Sequence, residues 1–394
     1  MKSFLLYLFS FSFVISWWAL VFFQNENSIP KTEMLQQKAS KEIHLQVDPK
    51  NFICPKKLKA ALTGNLSEMK LLLDGFEERA FYLKLKNAPQ AEKLLSSIQN
   101  IRYLILKENL EEEKAKSNKR YFPQTYSSAI ALFSLLDKEQ IVAIPKGLRE
   151  YKDLLPPSYL EAITLNCENT YAEQIYLEKP SLAFVAPYSL PRTIKKFEEQ
   201  NIPICLLSSC YSLKDITKNL LEIGEKVHKK NKSLILASFF DLSLAILEEK
   251  FNSIKTSSPS IPFDKTLILT YYGHLSLSGQ LSLNYQILKH LNIHKSLDEL
   301  VKDYPMQWGV KVSKEQIKNV DPDFLFLISP DSLKLLNLFK KDPFFSNIKA
   351  VKKNTCLTLD ERCSDNPSLL VAINLAHILN YFSQYSKDLS NVTV

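Results

Sequence analysis

Residues 211–255 read YSLKDITKNLLEIGEKVHKKNKSLILASFFDLSLAILEEKFNSIK, a stretch with no proline and a single glycine. Its first half repeats apolar residues at helical spacings of three and four: Leu213, Ile216, Leu220, Ile223 and Val227. After a polar break at 229–233, a second apolar run is long enough for a helix of roughly 30 Å, the length of a small domain. Strand-like sequence lies on both sides, so 211–256 is predicted to be a helical segment joining two lobes. A core helix of one large domain is the alternative.

The composition excludes some partners. The 394 residues suffice for two domains, and 45% of them are apolar. The net charge of +8 is spread along the chain, and no basic run carries the aromatic interleaving of a nucleic-acid site. We therefore expect no nucleic-acid partner, and we interpret the excess lysine as solvated surface.

The N-terminus predicts export. Lys2 precedes an uncharged stretch at 4–23, FLLYLFSFSFVISWWALVFF, which has the length needed to span a bilayer. Residues 1–25 are predicted to be a signal peptide or an uncleaved membrane anchor, and 26–50 a polar stalk. The rest of the chain is then periplasmic or otherwise extracytoplasmic.

Six cysteines could form disulfides in an exported protein. Their spacings match no C-x-x-C or zinc pattern, so no cysteine metal site is expected. Cys356 and Cys363 flank the end of a predicted strand, where they could pair or stay free.

Strands alternating with helices predict an α/β fold with mostly parallel sheets. Residues 80–86 (AFYLKLK) and 102–108 (RYLILKE) are interpreted as strands of an N-terminal extension. Further strands are predicted at 141–145, 182–186, 203–207, 266–271, 324–328 and 356–359, with a closing helix from 367 to about 385. This divides the chain into an N-terminal lobe with its extension at 51–210, the linking segment at 211–256, and a C-terminal lobe at 257–394.

Four segments carry a resemblance to a known family: 169–185 (NTYAEQIYLEKPSLAFV), 312–328 (VSKEQIKNVDPDFLFLI), 342–360 (DPFFSNIKAVKKNTCLTLD) and the linking segment. In order and spacing they resemble the periplasmic substrate-binding proteins of ABC importers for iron-siderophores, haem and cobalamin. That resemblance implies two lobes joined by one long helix. The start of the first lobe, YFPQTYSSA at 121–129, departs from the family pattern, which bears on the ligand rather than on the fold.

Loops after the predicted strands are rich in aromatic residues, and ligands of open α/β folds bind at such loops. Aromatic faces suit a planar chelate, arginine suits its carboxylates, and Tyr or His can ligate ferric iron. The predicted ligand-binding residues are Tyr121, Tyr126, Tyr188, Arg192, Tyr271, Tyr272, His274, Trp308 and Arg362, with His274 also a candidate metal ligand. For each of the tyrosines, packing is the alternative.

The resemblance also implies a role for Glu173 and Glu315, one in the corresponding helix of each lobe, as docking carboxylates for a membrane permease. We therefore predict a monomeric, non-enzymatic binding protein that captures a ferric siderophore or haem and has no prosthetic group. Its partners would be a small-molecule metal chelate and an ABC permease of the inner membrane. The alternatives are an envelope-anchored protein of this fold that binds no ligand, and a chelatase-like metal enzyme that uses His274.

Overall fold

The computed structural model describes residues 54–111, 118–167, 173–304, 306–364 and 366–392. The predicted signal or anchor at 1–25 and the stalk at 26–50 lie outside these residues. Within the described part of the chain, no helix has both the length and the apolar character needed to cross a membrane.

The N-terminal extension is helical, and the strands predicted at 80–86 and 102–108 are wrong. It consists of α1 (Pro55–Leu62), α2 (Leu66–Leu85) and α3 (Ala91–Glu111). The apolar residues of both long helices are buried at spacings of three and four, which the two short windows were too narrow to reveal. The Asn65 side chain caps α2 by accepting hydrogen bonds from the amides of Ser67 and Glu68.

The first lobe is built on short parallel strands. They are β1 (Tyr121–Pro123), β2 (Ala143–Pro145), β3 (Leu165–Cys167), β4 (Leu182–Val185) and β5 (Ile204–Leu206). Strands β1, β4 and β5 form one sheet in the order β1-β4-β5, and β2 pairs with β3. A bridge between Tyr121 and Ile141 joins the two groups, which gives the spatial order β3-β2-β1-β4-β5.

The helices of this lobe are α4 (Tyr126–Leu135), α5 (Pro157–Ala162), α6 (Glu173–Leu177) and α7 (Pro191–Glu199). A 3-10 helix, Lys146–Glu150, follows β2 directly. Strands β2, β4 and β5 confirm the strands predicted at 141–145, 182–186 and 203–207, and each of their ends lies within two residues of the predicted one.

The linking segment contains two helices, α8 (Leu213–Lys226) and α9 (Lys230–Ser257). The helices are separated at 227–229, where His228 adopts a φ of 61°, so the break lies slightly earlier than the predicted 229–233, most of which forms the first turn of α9. Helix α9 is buried on nearly all sides, because the extension covers one side and the closing helix α15 (Val371–Val392) covers another. The ring of Phe76 on α2 stacks on Phe239 of α9 with centroids 6.0 Å apart.

The second lobe has a five-stranded sheet in the order β10-β9-β6-β7-β8. Its strands are β6 (Thr266–Tyr271), β7 (Leu275–Ser278), β8 (Gly309–Lys311), β9 (Phe324–Ile328) and β10 (Cys356–Leu359). Strands β6, β9 and β10 are parallel, as predicted, whereas β7 runs antiparallel to both β6 and β8. Strand β7 was not predicted, although Leu275 and Leu277 alternate with serines as a strand requires.

The remaining helices of this lobe are α10 (Leu283–His290), α11 (Lys295–Val301), α12 (Lys314–Val320), α13 (Ser332–Lys341) and α14 (Lys349–Lys352). The closing helix α15 packs on α9 and β10. Phe382 of α15 lies in a cluster of buried rings with Phe251 of α9, Phe263 and Phe324. This cluster joins the linking segment to the second sheet.

Candidate functional site

The loops that could bind a ligand form three groups, which are a central group and one group at each flank of the sheets. In each lobe, the loops that leave the C-terminal ends of the parallel strands face one edge of the sheet. In the first lobe, the loops after β1 and β4 leave the middle of the sheet, and those after β2 and β5 leave its flanks. In the second lobe, the loops after β6 and β9 are central, while β10 and β8 form the flanks.

Polar contacts join the lobes at one flank. Arg362 lies in the 3-10 helix Glu361–Cys363 that follows β10, and Asp153 lies beyond the 3-10 helix that follows β2. The Arg362 Nη1 and Nη2 atoms donate to the Asp153 Oδ1 and Oδ2 atoms at 2.6 and 2.9 Å. Nη1 also donates to the carbonyl oxygen of Glu150 at 3.2 Å. This is the bidentate geometry in which an arginine–carboxylate pair is strongest.

The same flank carries a second bond between the lobes. The Asn366 Nδ2 atom, in the loop before α15, donates to the phenol oxygen of Tyr151 at 2.6 Å. The Tyr151 ring also faces the Arg362 guanidinium, whose Cζ lies 5.5 Å from the ring centroid. Burial raises the pKa of Tyr151, which keeps the phenol neutral.

Aromatic rings join the lobes at the opposite flank. Tyr211, between β5 and α8, packs against Trp308, immediately before β8. Their ring centroids are 5.6 Å apart at an angle of 44°, a tilted arrangement that aromatic pairs favour. Both rings keep an exposed part. In the strand order of the sheets, the two sets of contacts therefore lie on either side of the central strands β1, β4, β6 and β9.

Those central loops present exposed rings and polar atoms. Tyr188, after β4, is 73% exposed, and Tyr272, after β6, is 48% exposed. His274 is exposed in the same turn as Tyr272, where Gly273 adopts a φ of 84°. The Tyr272 hydroxyl lies 3.1 Å from Glu361 Oε2. Gln124, after β1, is held by a hydrogen bond from the Ser189 hydroxyl.

Two of the predicted tyrosines do not line this region. Tyr121 lies within β1 and is only 2% exposed, so the prediction that it binds ligand from a loop is wrong. Tyr126 is half-buried in the first turn of α4, and its ring lies 5.8 Å from that of Tyr151. A Cβ at Gly147 would lie 2.0 Å from the Tyr126 phenol oxygen, so this glycine makes room for the side chain. Both side chains serve packing.

The other predicted residues differ in how accessible they are. Tyr271 ends β6 and packs partly against the core. Arg192 is exposed in the first turn of α7, next to Tyr188 in the chain. The guanidinium of Arg362 is occupied by Asp153 and Asp360, which raises its pKa, so its charge is already neutralised within the protein.

Asp153, Tyr151 and Asn366 were not identified from the sequence. Asp153 and Arg362 are 209 positions apart in the chain, and neither belongs to a local motif. The Arg362 guanidinium holds the pKa of the Asp153 carboxyl below its usual range. Only the fold brings these groups together.

Glu173 and Glu315 occupy equivalent positions. Glu173 begins α6, which precedes β4, and Glu315 lies in the first turn of α12, which precedes β9. A helix that precedes a parallel strand runs against it, so both helix N-termini lie at the strand edge that carries the ligand loops. Both carboxylates are exposed. Backbone and Ser313 hydrogen bonds lower the pKa of Glu315.

No resident metal site is evident in the described residues, where no three His, Cys, Asp or Glu side chains group as ligands. All six cysteines are free, so Cys356 and Cys363 do not pair.

Comparison with protein-family models and with curated proteins gives no match. Among solved structures, a periplasmic heme-binding protein from Pseudomonas aeruginosa is similar, with a TM-score of 0.56 at 15% identity over 67% of this chain and 92% of that one. FhuD2 from Staphylococcus aureus, in an unliganded form, has a TM-score of 0.54 at 16% identity over 67% and 98%. The periplasmic heme-binding protein HutB of Vibrio cholerae has a TM-score of 0.53 at 15% identity over 69% and 99%.

These similarities span nearly the whole length of each solved protein. The chain therefore has the two-lobed α/β fold of the periplasmic binding proteins, as the sequence resemblance predicted.

Proposed function

We propose that this protein is an extracytoplasmic binding protein of an ABC importer that captures an iron chelate, a siderophore or haem, between its lobes. The observation that supports this proposal is the exposure of Tyr188, Tyr272 and His274 on loops that follow the central strands β4 and β6 of the two lobes, which contacts join at Arg362–Asp153 and at Tyr211–Trp308. Aromatic rings suit a planar or aromatic chelate, because they can pack against its faces. The solved relatives include heme-binding proteins and FhuD2 with bound ferrioxamine B, which supports the same class of cargo and a role in binding rather than catalysis.

Ligand binding is tested with the chain from Lys31 onward, which contains the whole compact unit Phe52–Val394. Haemin, ferrioxamine B and cobalamin are titrated while tryptophan fluorescence and the melting temperature are followed. We expect a saturable response to one chelate, with a stability gain that grows with ligand concentration. Silence toward the whole panel from a folded protein would favour an envelope protein without ligand binding.

The site is tested by Tyr272→Ala and Tyr188→Ala. Each removes an exposed ring from the cleft, and we expect each to weaken affinity for the responding chelate by about tenfold, because a buried aromatic contact contributes roughly 1–2 kcal/mol. Tyr103→Ala is the matched control, since Tyr103 is equally exposed but lies on α3 of the extension. Equal affinities in all three variants would remove the two tyrosines from the site.

Delivery to a permease is the second part of the proposal. Glu173 and Glu315 present one exposed carboxylate per lobe at the same edge, an arrangement that could steer docking onto basic residues. We expect Glu173→Arg to leave chelate affinity unchanged and to reduce chelate uptake by cells, with Glu161→Arg on α5 as the control. Normal uptake by the Glu173→Arg strain would contradict this assignment.

A further inference from the structure

We propose that Asp153, Arg362 and Lys59 form a latch that fixes the distance between the two lobes and thereby sets the width of the cleft. These are positioning residues that hold the binding surfaces in place. The expected effect on haemin affinity rests on the proposed function. The expected effect on the distance between the lobes does not.

The latch begins with Arg362, which bonds to both lobes at once. Within its own lobe, the Arg362 Nε and Nη2 atoms donate to the Asp360 carboxylate at 3.0 and 2.7 Å. Across the cleft, its two Nη atoms donate to the Asp153 carboxylate and to the Glu150 carbonyl oxygen. Asp360 thus fixes the orientation of the guanidinium, and a pre-oriented fork loses little freedom when it binds a second carboxylate.

Asp153 joins a third part of the molecule. The Lys59 Nζ atom, on α1 of the extension, donates to the carbonyl oxygen of Asp153. One residue of the first lobe therefore receives bonds from the second lobe through its side chain and from the extension through its backbone. A change in the lobe angle would have to break the bonds from Arg362, while the bond from Lys59 holds the Asp153 backbone in place.

The extension is itself anchored to the other parts of the fold. The Ser134 hydroxyl, on α4 of the first lobe, donates to the Leu62 carbonyl oxygen of α1 at 3.4 Å. Gly64 lies so close to the same helix that a Cβ would stand 2.7 Å from the Ser134 carbonyl oxygen. On the linking helix, Glu249 accepts two bonds from Arg79 of α2, at 2.8 and 2.6 Å. The extension, which carries Lys59, is therefore fixed to both the first lobe and α9.

The opposite flank is held by a different kind of contact. The Tyr211–Trp308 pair involves only ring packing, without directional bonds, so it tolerates small changes in distance. The Asp153 flank is bonded and directional, and it is reinforced by the Asn366–Tyr151 hydrogen bond. Opening is thus expected to begin at the aromatic flank, with the latch as the fixed side.

The test measures the distance between the lobes in the full chain reconstituted in lipid nanodiscs. Spin labels are introduced by non-canonical amino acids at Lys195 on α7 and Lys352 on α14, two exposed positions in different lobes. Pulsed electron paramagnetic resonance then gives the distribution of distances. Asp153→Ala is compared with the parent and with Glu198→Ala, which removes an exposed carboxylate of the first lobe outside the latch.

We expect one narrow distribution for the parent and for Glu198→Ala, and for Asp153→Ala a distribution about twice as wide with a longer component. Lys59→Met is expected to broaden it to a smaller extent. Because the Asp153 side chain is 66% exposed, its removal should leave the fold intact, which circular dichroism checks. An unchanged distribution in Asp153→Ala would overturn the latch.

Affinity for haemin provides the second readout. If the latch holds the lobes at the distance that binds haemin, Asp153→Ala should weaken haemin binding about tenfold. The affinity falls because a smaller fraction of the variant is in the conformation that binds haemin. A broadened distribution with unchanged haemin affinity would overturn the control of binding by the latch. Absence of haemin binding in the parent, together with a broadened distribution in the variant, would support the latch and count against haem as the cargo.

Discussion

Phe76→Ala is expected to destabilise the protein by about 3–5 kcal/mol, the usual cost of truncating a fully buried phenylalanine. Phe76 is fully buried on α2 and stacks on Phe239 of α9, which is fully buried too. Its removal leaves a cavity where the extension meets the linking helix, and neither helix can close it without losing the bonds between Arg79 and Glu249.

Urea unfolding followed by circular dichroism measures this loss. Phe81→Ala is the matched control, because Phe81 lies on the same helix but is exposed, and its removal should change the free energy of unfolding by less than about 1 kcal/mol. Similar losses in the two variants would show that the extension does not pack on α9 as described.

Lys250→Met is expected to stabilise the protein by about 1–3 kcal/mol at pH 7. Lys250 is only 8% exposed on α9, and burial lowers its pKa to about 8. Lowering the pKa of a lysine from 10.5 to about 8 corresponds to roughly 3 kcal/mol of unfavourable free energy of burying its charge. The variant also loses the 2.9 Å hydrogen bond from Lys250 to Asn380 Oδ1, which reduces the net gain in stability. A methionine of similar length removes the cost of burying the charge.

The difference in stability between the parent and Lys250→Met should also depend on pH. Below pH 8, Lys250 is charged in both the folded and the unfolded states, so the destabilisation is constant. Between pH 8 and about 10.5, the folded protein loses this proton while the unfolded chain keeps it, so the stability of the parent rises relative to Lys250→Met. Lys255→Met, on a less buried position of α9, should show neither effect. A stability difference that stays flat from pH 7 to 10 would contradict the assignment.

The α/β alternation could be predicted because buried parallel strands are short apolar runs, such as 324–328, bounded by turn signals. The extension was misread because windows of seven residues, such as 80–86, cannot separate helical from strand periodicity when apolar residues are dense. Strand β7 was missed because serines at alternate positions resemble a loop. Longer windows would have corrected the first error but not the second.

The positions of the central loops could be predicted, whereas ligand binding by their residues stays a prediction. Tyr188, Tyr272 and His274 come after strands that the pattern indicated, so their place on the loops after β4 and β6 could be inferred. Tyr121 was misplaced because the short strand β1 was not predicted and its residues were assigned to a loop. The pairing of Arg362 with Asp153 depends on the approach of two lobes, and no local sequence pattern encodes it.

The export that we propose would place six unpaired cysteines in an oxidising compartment. Burial raises the pKa of Cys205, Cys210 and Cys356 to about 11, and it raises the pKa of Cys363 as well. At pH 7, a thiol with a pKa of about 11 is ionised in only roughly one molecule in ten thousand, and the thiolate is the form that reacts with oxidants and disulfides. The fold thus slows the oxidation of these four thiols by suppressing their ionisation, and this protection depends on the integrity of the core that surrounds them.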